Sequence, residues 1–502
     1  MASAKSWLCH TLVDRTRPIL PWEGPPDGRK ISPLEASSKI LDHIRQAWNY
    51  MMARTSEGFD PRLRLENQSI LLTVPASFDA VARELTVKAA EMAGLGGVIL
   101  LEEPQAAFYA WIEAHTDSWR NVVRKDDVVL VCDVGGGTTD FSLIRVTDQE
   151  GELALERIAV GDHLLVGGDN IDLALAHTVA ARMQGRVDAW QMRSLWHSCR
   201  LAKEQLSINP EMASYPITVV GRGSSLIGGT FKATLDASEI ERIILSGFFP
   251  DCPAAAEPEK PVAAGVQELG LSYAADPAVT RHLAHFLARR RDGAALWPTA
   301  VLFNGGVMKS PAVRRRILDV LSAWRRSDQA EAIREIQTFD LDRSVARGAA
   351  YYGLVRRGEG IRIRGGLAKS YYIGVAASMP AVPGVPSALK ALCVAPFGME
   401  EGTELRLDQQ QFVLVVGEPV KFDFLASAIR SEDRAGMVVE DWEQEISPVT
   451  TLEATLDGEA GTMVPVRFEI RATEIGTLEI WCTSSDDGRK WKLQFNVREQ
   501  TA

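Results

Sequence analysis

Apolar residues keep two different periods along this chain. Up to about residue 355, short apolar runs alternate with segments at helical spacing. Ser32-Pro33-Leu34-Glu35 is a helix start, with Ser as cap, Pro at the first helical position and Glu at the third. Ile40, Leu41, Ile44, Trp48 and Met51 follow at helical spacing. Residues 70–74 predict a short buried strand ending at Pro75. Phe78-Asp79 opens a helix through Met92 that Gly94 closes. Residues 97–101 predict another strand, and Glu103-Pro104 starts the next helix. Strand–helix–strand–helix is an α/β pattern. Residues 1–30 read as loop, since Pro18, Pro21, Pro25 and Pro26 forbid a long helix.

The apolar run from Val128 to Val134 enters Gly135-Gly136-Gly137-Thr138 and leaves through an alternating run to Ile144, which predicts a hairpin. Successive glycines let backbone N–H groups form a concave nest suited to phosphate. Asp133 and Asp140 flank it, and carboxylates there suit a hydrated Mg²⁺. The bland alternative is a tight turn needing glycine for positive φ. The Asp pair, Thr138 and the buried-looking strands favour phosphate. A strand over 153–159 follows. The loop through Gly167-Gly168-Asp169 then enters a helix near Asn170, a second anion site by its free N–H groups. Residues 187–206 predict a helix, 215–235 strands, 236–245 a helix, and 250–262 an inserted loop rich in Pro, Ala and Glu. Residues 300–303 lead into Asn304-Gly305-Gly306-Val307, a third strand-to-glycine junction, before a helix from Pro311. The helix over 342–354 is rich in Ala and Gly, which permits close packing.

Beyond residue 360 the period becomes two. Val413/Val415, Val464/Val466/Phe468/Ile470, Leu478/Ile480/Cys482 and Trp491/Leu493/Phe495/Val497 alternate, and Asp486-Asp487-Gly488 is a hairpin turn. A separate antiparallel β-domain is expected. Trp442, Trp481 and Trp491 belong to its core or to a peptide groove; core is the commoner place for strand aromatics.

Composition narrows the partners. With 502 residues the chain is too long for one core. A net charge of −11 argues against nucleic acid or an anionic membrane as main partner. Six cysteines without a Cys-x-x-Cys pair exclude a zinc ribbon and suggest a reducing compartment. No apolar run is long enough to span a bilayer and no signal-peptide core is apparent, so the expected location is cytoplasmic.

Three glycine junctions on strand ends, spread over about 170 residues, suggest a nucleotide gripped between two lobes. The set resembles the actin-like ATPase domain of the heat shock protein 70 (DnaK-type) chaperones, in that family's order over residues 1–355. Val74-Pro75-Ala76-Ser77-Phe78 resembles its proline switch, and Arg83 its relay arginine. Glu102-Glu103-Pro104-Gln105-Ala106-Ala107 resembles its Glu-Pro-x-Ala-Ala segment, and Asp133 to Asp140 its second phosphate loop. Gly167-Gly168-Asp169, Ala202-Lys203 with Leu206-Ser207, Gly305-Gly306, and Asp342-x-x-Val345-Ala346-x-Gly348-Ala349 are similar to its remaining nucleotide elements, and Ala4-Lys5 to its catalytic-lysine pair.

The resemblance implies an actin-like (ribonuclease H-like) two-lobed ATPase domain over 1–357, with the insert near 250–262. It further implies a linker over 358–364 and a β-rich domain over 365–502 resembling a peptide-binding sandwich without a helical lid. Lys5 would touch the γ-phosphate or attacking water. Glu103 and Asp133 would orient water and the Mg²⁺ shell, Thr138 would steady the nucleophile, and Asp140 would act near the metal or as proton acceptor. Gly135, Gly136, Gly137, Thr139, Gly167, Gly168, Asp169, Lys203, Ser207, Gly305, Gly306, Lys309 and Asp342 would hold ATP or ADP. Asp133 and Asp140 would hold Mg²⁺ through water. Pro75 and Arg83, with Glu103, would carry nucleotide state to the second domain.

Departures from the family are specific. Its opening Asp-x-Gly-Thr-Thr hairpin has no counterpart before Lys5, which predicts an exposed sheet edge in the first lobe. Arg200 stands for the usual Glu, Glu204 for a stacking Arg, and Lys309 for another adenine-stacking Arg. The expected function is an ATP-dependent chaperone binding unfolded peptide, with co-chaperone and nucleotide-exchange partners. The alternatives are a nucleotide-binding scaffold or regulator without turnover and, less favoured, a small-molecule kinase of the actin-like group.

Overall fold

Ser32 sets the first long helix, α1 (Pro33–Met52): its hydroxyl accepts the Glu35 N–H at 2.9 Å, with Pro33 at the first position. The structure is a computed structural model. It describes residues 4–10, 13–22, 28–55, 58–115, 118–149, 152–183, 187–209, 211–219, 231–260, 271, 273–288, 297–325, 332–338, 340–359, 363–364, 367, 369–376, 389–399, 402–473 and 478–493. Leu34 and Ala36 of α1 are buried. Most of the expected apolar stripe is not: Ile40, Ile44, Trp48 and Met51 are 51, 50, 38 and 72% exposed, whereas Leu41 is partly buried. Leu41 alone of the stripe packs against the core, and the Trp48 indole N–H donates to Leu63 O at 2.9 Å.

Strand β1 (Leu71–Val74) pairs in parallel with β2 (Ile99–Glu102) in a sheet of these two strands alone among the described residues. Between them runs α2 (Ala80–Met92). Asp79 caps it by accepting the Ala82 N–H at 2.6 Å, and holds the Arg15 guanidinium through two contacts of 3.2 Å. β2 passes without a loop into α3 (Glu103–Ala114).

The central sheet is built on β3 (Val128–Val134), hairpinned to β4 (Thr139–Gln149), which turns back into β5 (Glu152–Val160). Helices α4 (Gly168–Ala180) and α5 (Ala189–Ile208) and the hairpin β6 (Ser214–Val219)–β7 (Phe231–Asp236) come next. Residues 220–230, inside the stretch expected as strands, lie outside the described residues. So do 261–262 of the expected insert; residues 251–260 have no helix or strand. After α6 (Val279–Ala288), strand β8 (Ala300–Asn304) enters the central sheet parallel to β3. It is followed by α7 (Pro311–Trp324), β9 (Arg334–Ile336) and α8 (Ser344–Val355). The two-residue strand β10 (Ile363–Arg364) closes the sheet against β5, giving the order β9-β8-β3-β4-β5-β10.

Strand alternation decides what covers each face. Val128, Leu130, Cys132 and Val134 pack with α4, α5 and α7, while Val129 and Val131 pack with α3 and α8. Helix α8 lies so close on α3 that a Cβ at Gly348 would sit 1.7 Å from the Ala106 carbonyl oxygen. Glycine there is a packing requirement.

Two antiparallel sheets make up the rest. One is ordered β15-β12-β11-β14-β16, from β11 (Ser370–Ala376), β12 (Leu389–Ala395), β14 (Pro419–Ser427), β15 (Val438–Val439) and β16 (Ser447–Thr455). The other is β13-β17-β18-β19, from β13 (Glu404–Val416), β17 (Thr462–Ala472), β18 (Leu478–Ser484) and β19 (Lys490–Leu493). Val464, Val466, Phe468 and Ile470 point inward from β17, as the alternation predicts. Both sheets share one buried cluster, and Leu34 of α1 with Ala80, Val81, Leu85 and Ala89 of α2 belong to it. Trp491 is buried and donates to the Asp457 carbonyl, and Trp442 donates to the Leu389 carbonyl. Phe495 and Val497 lie outside the described residues. All six cysteines are free, and no described helix is long and apolar enough to cross a membrane.

Where α2 and β2 meet β5, Glu102 is buried between two guanidiniums, Arg83 at 2.5 Å and Arg157. A buried carboxylate flanked this way is held by charge, so a neutral amide of the same size leaves the cations under-compensated. Glu102→Gln is expected to cost about 2 kcal/mol of stability, read as a lower urea midpoint at unchanged slope.

Candidate functional site

The three glycine turns meet. Gly135, Gly136, Gly168 and Gly306 line one cavity of about 210 Å³ between α4, α5 and the turn after β8. Backbone bonds stitch its floor: Gly135 N–H donates to Thr138 O at 2.9 Å, Gly168 N–H to Gly135 O at 3.0 Å, and Asp169 N–H to Gly136 O at 2.6 Å. Two of the glycines are demanded by the protein itself. A Cβ at Gly167 would lie 2.7 Å from Gly136 O. Gly305 has φ 87°, and its Cβ would lie 2.4 Å from Val134 O. Gly306 differs, because a Cβ there would meet nothing within 4 Å. The space beside it is open to a ligand.

Cations around this cavity are paired. Lys203 of α5 sits 2.6 Å from the buried Asp172 carboxylate and donates to Gly168 O at 3.2 Å. Burial raises the Asp172 pKa, and Lys203 opposes the rise. Lys309 lies 2.6 Å from one Asp342 oxygen and 2.7 Å from the other. Arg200 donates to Glu204 at 3.0 Å, so the charge reversal there makes a local pair. Ser207 lines the same wall.

A second cluster lies at the β3–β4 turn. Lys5 donates to Glu103 at 2.8 Å. Burial opposes the Lys5 charge, but Glu103, with Asp140 and Asp133 beyond it, holds the ammonium above its ordinary range. Asp133 and Asp140 face each other across the hairpin. Burial and the Glu103 carboxylate, then Asp140, push Asp133 up to about 7, while the Asn304 amide bond at 2.7 Å and Lys5 act the other way. Asn304 is itself fixed by the Ser344 hydroxyl at 2.6 Å. Burial works against Asp140 also, yet bonds from His163 and Ser77 and the charge of Lys5 hold it below the ordinary carboxylate range. Such a neighbourhood, rich in negative charge and close to glycine turns, suits a cation that bridges to phosphate. Among the described residues no three His, Cys, Asp or Glu side chains are grouped to ligate a metal directly. Two facing carboxylates fit an ion that keeps its water.

The remaining expected residues fall in distinct places. Thr138 and the exposed Gly136 and Gly137 form the turn. Thr139 is wholly buried, and its hydroxyl donates to Val166 O at 2.8 Å, which ties the turn to the Gly167 loop. Pro75 follows β1, and Arg83 pairs with Glu102 rather than with Glu103. Ser77, His163, Asn304 and Asp172 were not singled out by sequence. Ser77 belongs to the segment resembling the proline switch, but its partner Asp140 lies 63 residues away, and 23 from His163, and no local pattern encodes that.

Residues 26–244 match the family model described as Hsp70 protein. The chaperone protein HscA homolog of Bordetella pertussis is 31% identical over 214 residues, 42% of this chain and 30% of that protein. The homolog of a Pseudomonas fluorescens strain is 33% identical over 179 residues, 35% of this chain and 25% of that protein. The chaperone protein HscA of Citrobacter koseri is 29% identical over 250 residues, 49% of this chain and 38% of that protein. The chain thus spans about a quarter to two-fifths of the length of these relatives.

Proposed function

The chain belongs to the heat shock protein 70 family, and from that premise we propose that it is an ATP-dependent chaperone with its nucleotide site at the three glycine turns. Convergence of Gly135, Gly168 and Gly306 on one cavity is the observation that carries this reading. The family implies an actin-like ATPase fold. We read residues 1–357 as that domain, 358–364 as a linker whose last two residues, β10, stay paired to β5, and the two antiparallel sheets within 365–502 as a peptide-binding sandwich.

In this reading the N–H groups of Gly136, Gly137 and Gly306 receive phosphate oxygens, while those of Gly135 and Gly168 are spent on holding the turns together. Asp133 and Asp140 would hold a hydrated Mg²⁺, which would offset phosphate charge. Lys5, anchored by Glu103, presents a compact positive charge to the γ-phosphate, which phosphoryl transfer needs more than covalent help. Thr138 steadies the attacking water, and Asp140, kept ionised, accepts its proton. Lys203, Ser207, Lys309 and Asp342 contact the nucleoside end. Coupling runs through Pro75 and Arg83 to α2, whose apolar face packs with both β-sheets. Extended peptides, co-chaperones and exchange factors are the proposed partners, in the cytoplasm.

Calorimetric titration of ATP with and without Mg²⁺, followed by steady-state hydrolysis with an extended apolar peptide, tests it. Mg²⁺-dependent binding and peptide-stimulated turnover are expected. Absence of nucleotide binding would remove the reading. The paired states of Arg200 and Lys309 favour a second one, a scaffold that binds nucleotide weakly at the base and does not turn it over. Binding without turnover, with ATP and GTP equivalent, would select it.

A further inference from the structure

His163 is not among the residues assigned above, yet the backbone delivers it to Asp140. Gly161 N–H donates to Phe141 O at 2.9 Å on one side. On the other, Thr139 N–H donates to Leu164 O at 2.9 Å and Leu164 N–H returns to Thr139 O at 3.3 Å. Asp140 lies between these two anchor points, and so do residues 162 and 163 on the facing segment. His163 Nδ1 is 3.3 Å from Asp140 Oδ1 and 2.9 Å from Ser77 Oγ, while Ser77 Oγ donates to the same Oδ1 at 2.7 Å. The Phe78 ring meets the imidazole edge-on, with centroids 6.2 Å apart. Nε2 is buried, with no hydrogen-bond partner among the described residues.

Those contacts call for a proton on Nδ1. A proton on Nδ1 gives the carboxylate and the hydroxyl a donor and leaves only a lone pair on buried Nε2. The opposite tautomer would set a lone pair against a carboxylate and bury an unpaired N–H. Both bonds fall on Oδ1, so neither engages Oδ2. We propose that His163 is a positioning residue for Asp140: as the Nδ1–H tautomer, with Ser77, it locks the carboxylate plane and reserves Oδ2 for the reacting water. The inference rests on the ATPase reading above.

The test uses the 502-residue chain. His163→Ala is expected to lower kcat for ATP about 10–100-fold, the range for second-layer partners of catalytic carboxylates and metals. KM should stay within about twofold, because only an interaction of the transition state is lost. His163→Asn, whose amide offers an N–H near the Nδ1 position, should keep kcat within about threefold of the native value by restoring that donor. Equal damage from Asn and Ala, or a loss carried by KM, overturns the proposal. ¹⁵N NMR of histidine-labelled chain should show His163 as Nδ1–H, and the Ser77→Ala/Asp140→Ala double variant should release that preference; an Nε2–H signal in the native chain overturns it. If the native chain hydrolyses no ATP, the function above fails, while the tautomer still decides whether the brace exists.

Discussion

Gly348→Ala should leave little folded protein. Its added Cβ would stand 1.7 Å from Ala106 O and 2.8 Å from the Ala110 backbone nitrogen, both main-chain atoms of α3. No rotamer change can relieve a clash with backbone, so α8 must move away from α3. That separation opens the cluster in which Ala349, Tyr352 and Val355 meet Phe108, Tyr109 and Ile112. Overpacking usually costs about 1–3 kcal/mol; with two helices displaced, a loss above about 4 kcal/mol is expected, among the largest single-site effects. Soluble yield and the thermal midpoint report it. Gly353→Ala is the matched control, since its Cβ would meet only the Leu71 side chain, at 3.2 Å. It should shift stability by less than about 1 kcal/mol, helped by the better helix propensity of Ala. Similar losses in the two variants would refute the packing argument.

Asp133→Asn should trade activity for stability. Asp133 is held near 7, above its ordinary 3.8, so between those values the folded chain binds a proton that the unfolded chain has released. Stability from this group therefore falls as pH rises from about 4 to 7, and its cost is complete above that. An amide cannot ionise. The variant should match the native chain near pH 4 and exceed its thermal midpoint at pH 8. Asp140, whose pKa is lowered, contributes in the opposite direction and is common to both proteins. Hydrolysis should drop by about 10²–10⁴ as a proton-transfer or metal-holding group is lost, with nucleotide binding much less affected. Equal loss of binding and turnover, or an unchanged stability profile, would argue against the role given to Asp133.

Local chemistry was legible in the sequence. The Ser32 and Asp79 caps, the glycine turns and the alternation of β17 and β18 each follow from neighbours within a few residues. Long-range placement was not. Asn304 reaches Asp133 only because β8 lies parallel beside β3, a strand order with no signature in either strand. Adjacent Glu102 and Glu103 differ for a geometric reason: one ends a strand and the other begins a helix, so they turn to different partners, Arg83 and Lys5. Helical spacing in α1 gave the helix correctly but not its surroundings, since periodicity defines a face and says nothing of what covers it.

Helix α2 is a wall common to two rooms. Ala82 and Ala90 close the cores beside β1 and β2, while Val81, Leu85 and Ala89 complete the core of the β-sheets. Neither side can melt and leave the other its full set of neighbours. Denaturation followed at the Trp491 end and at β1 should therefore trace superimposable curves, the signature of a single cooperative unit rather than beads on a string.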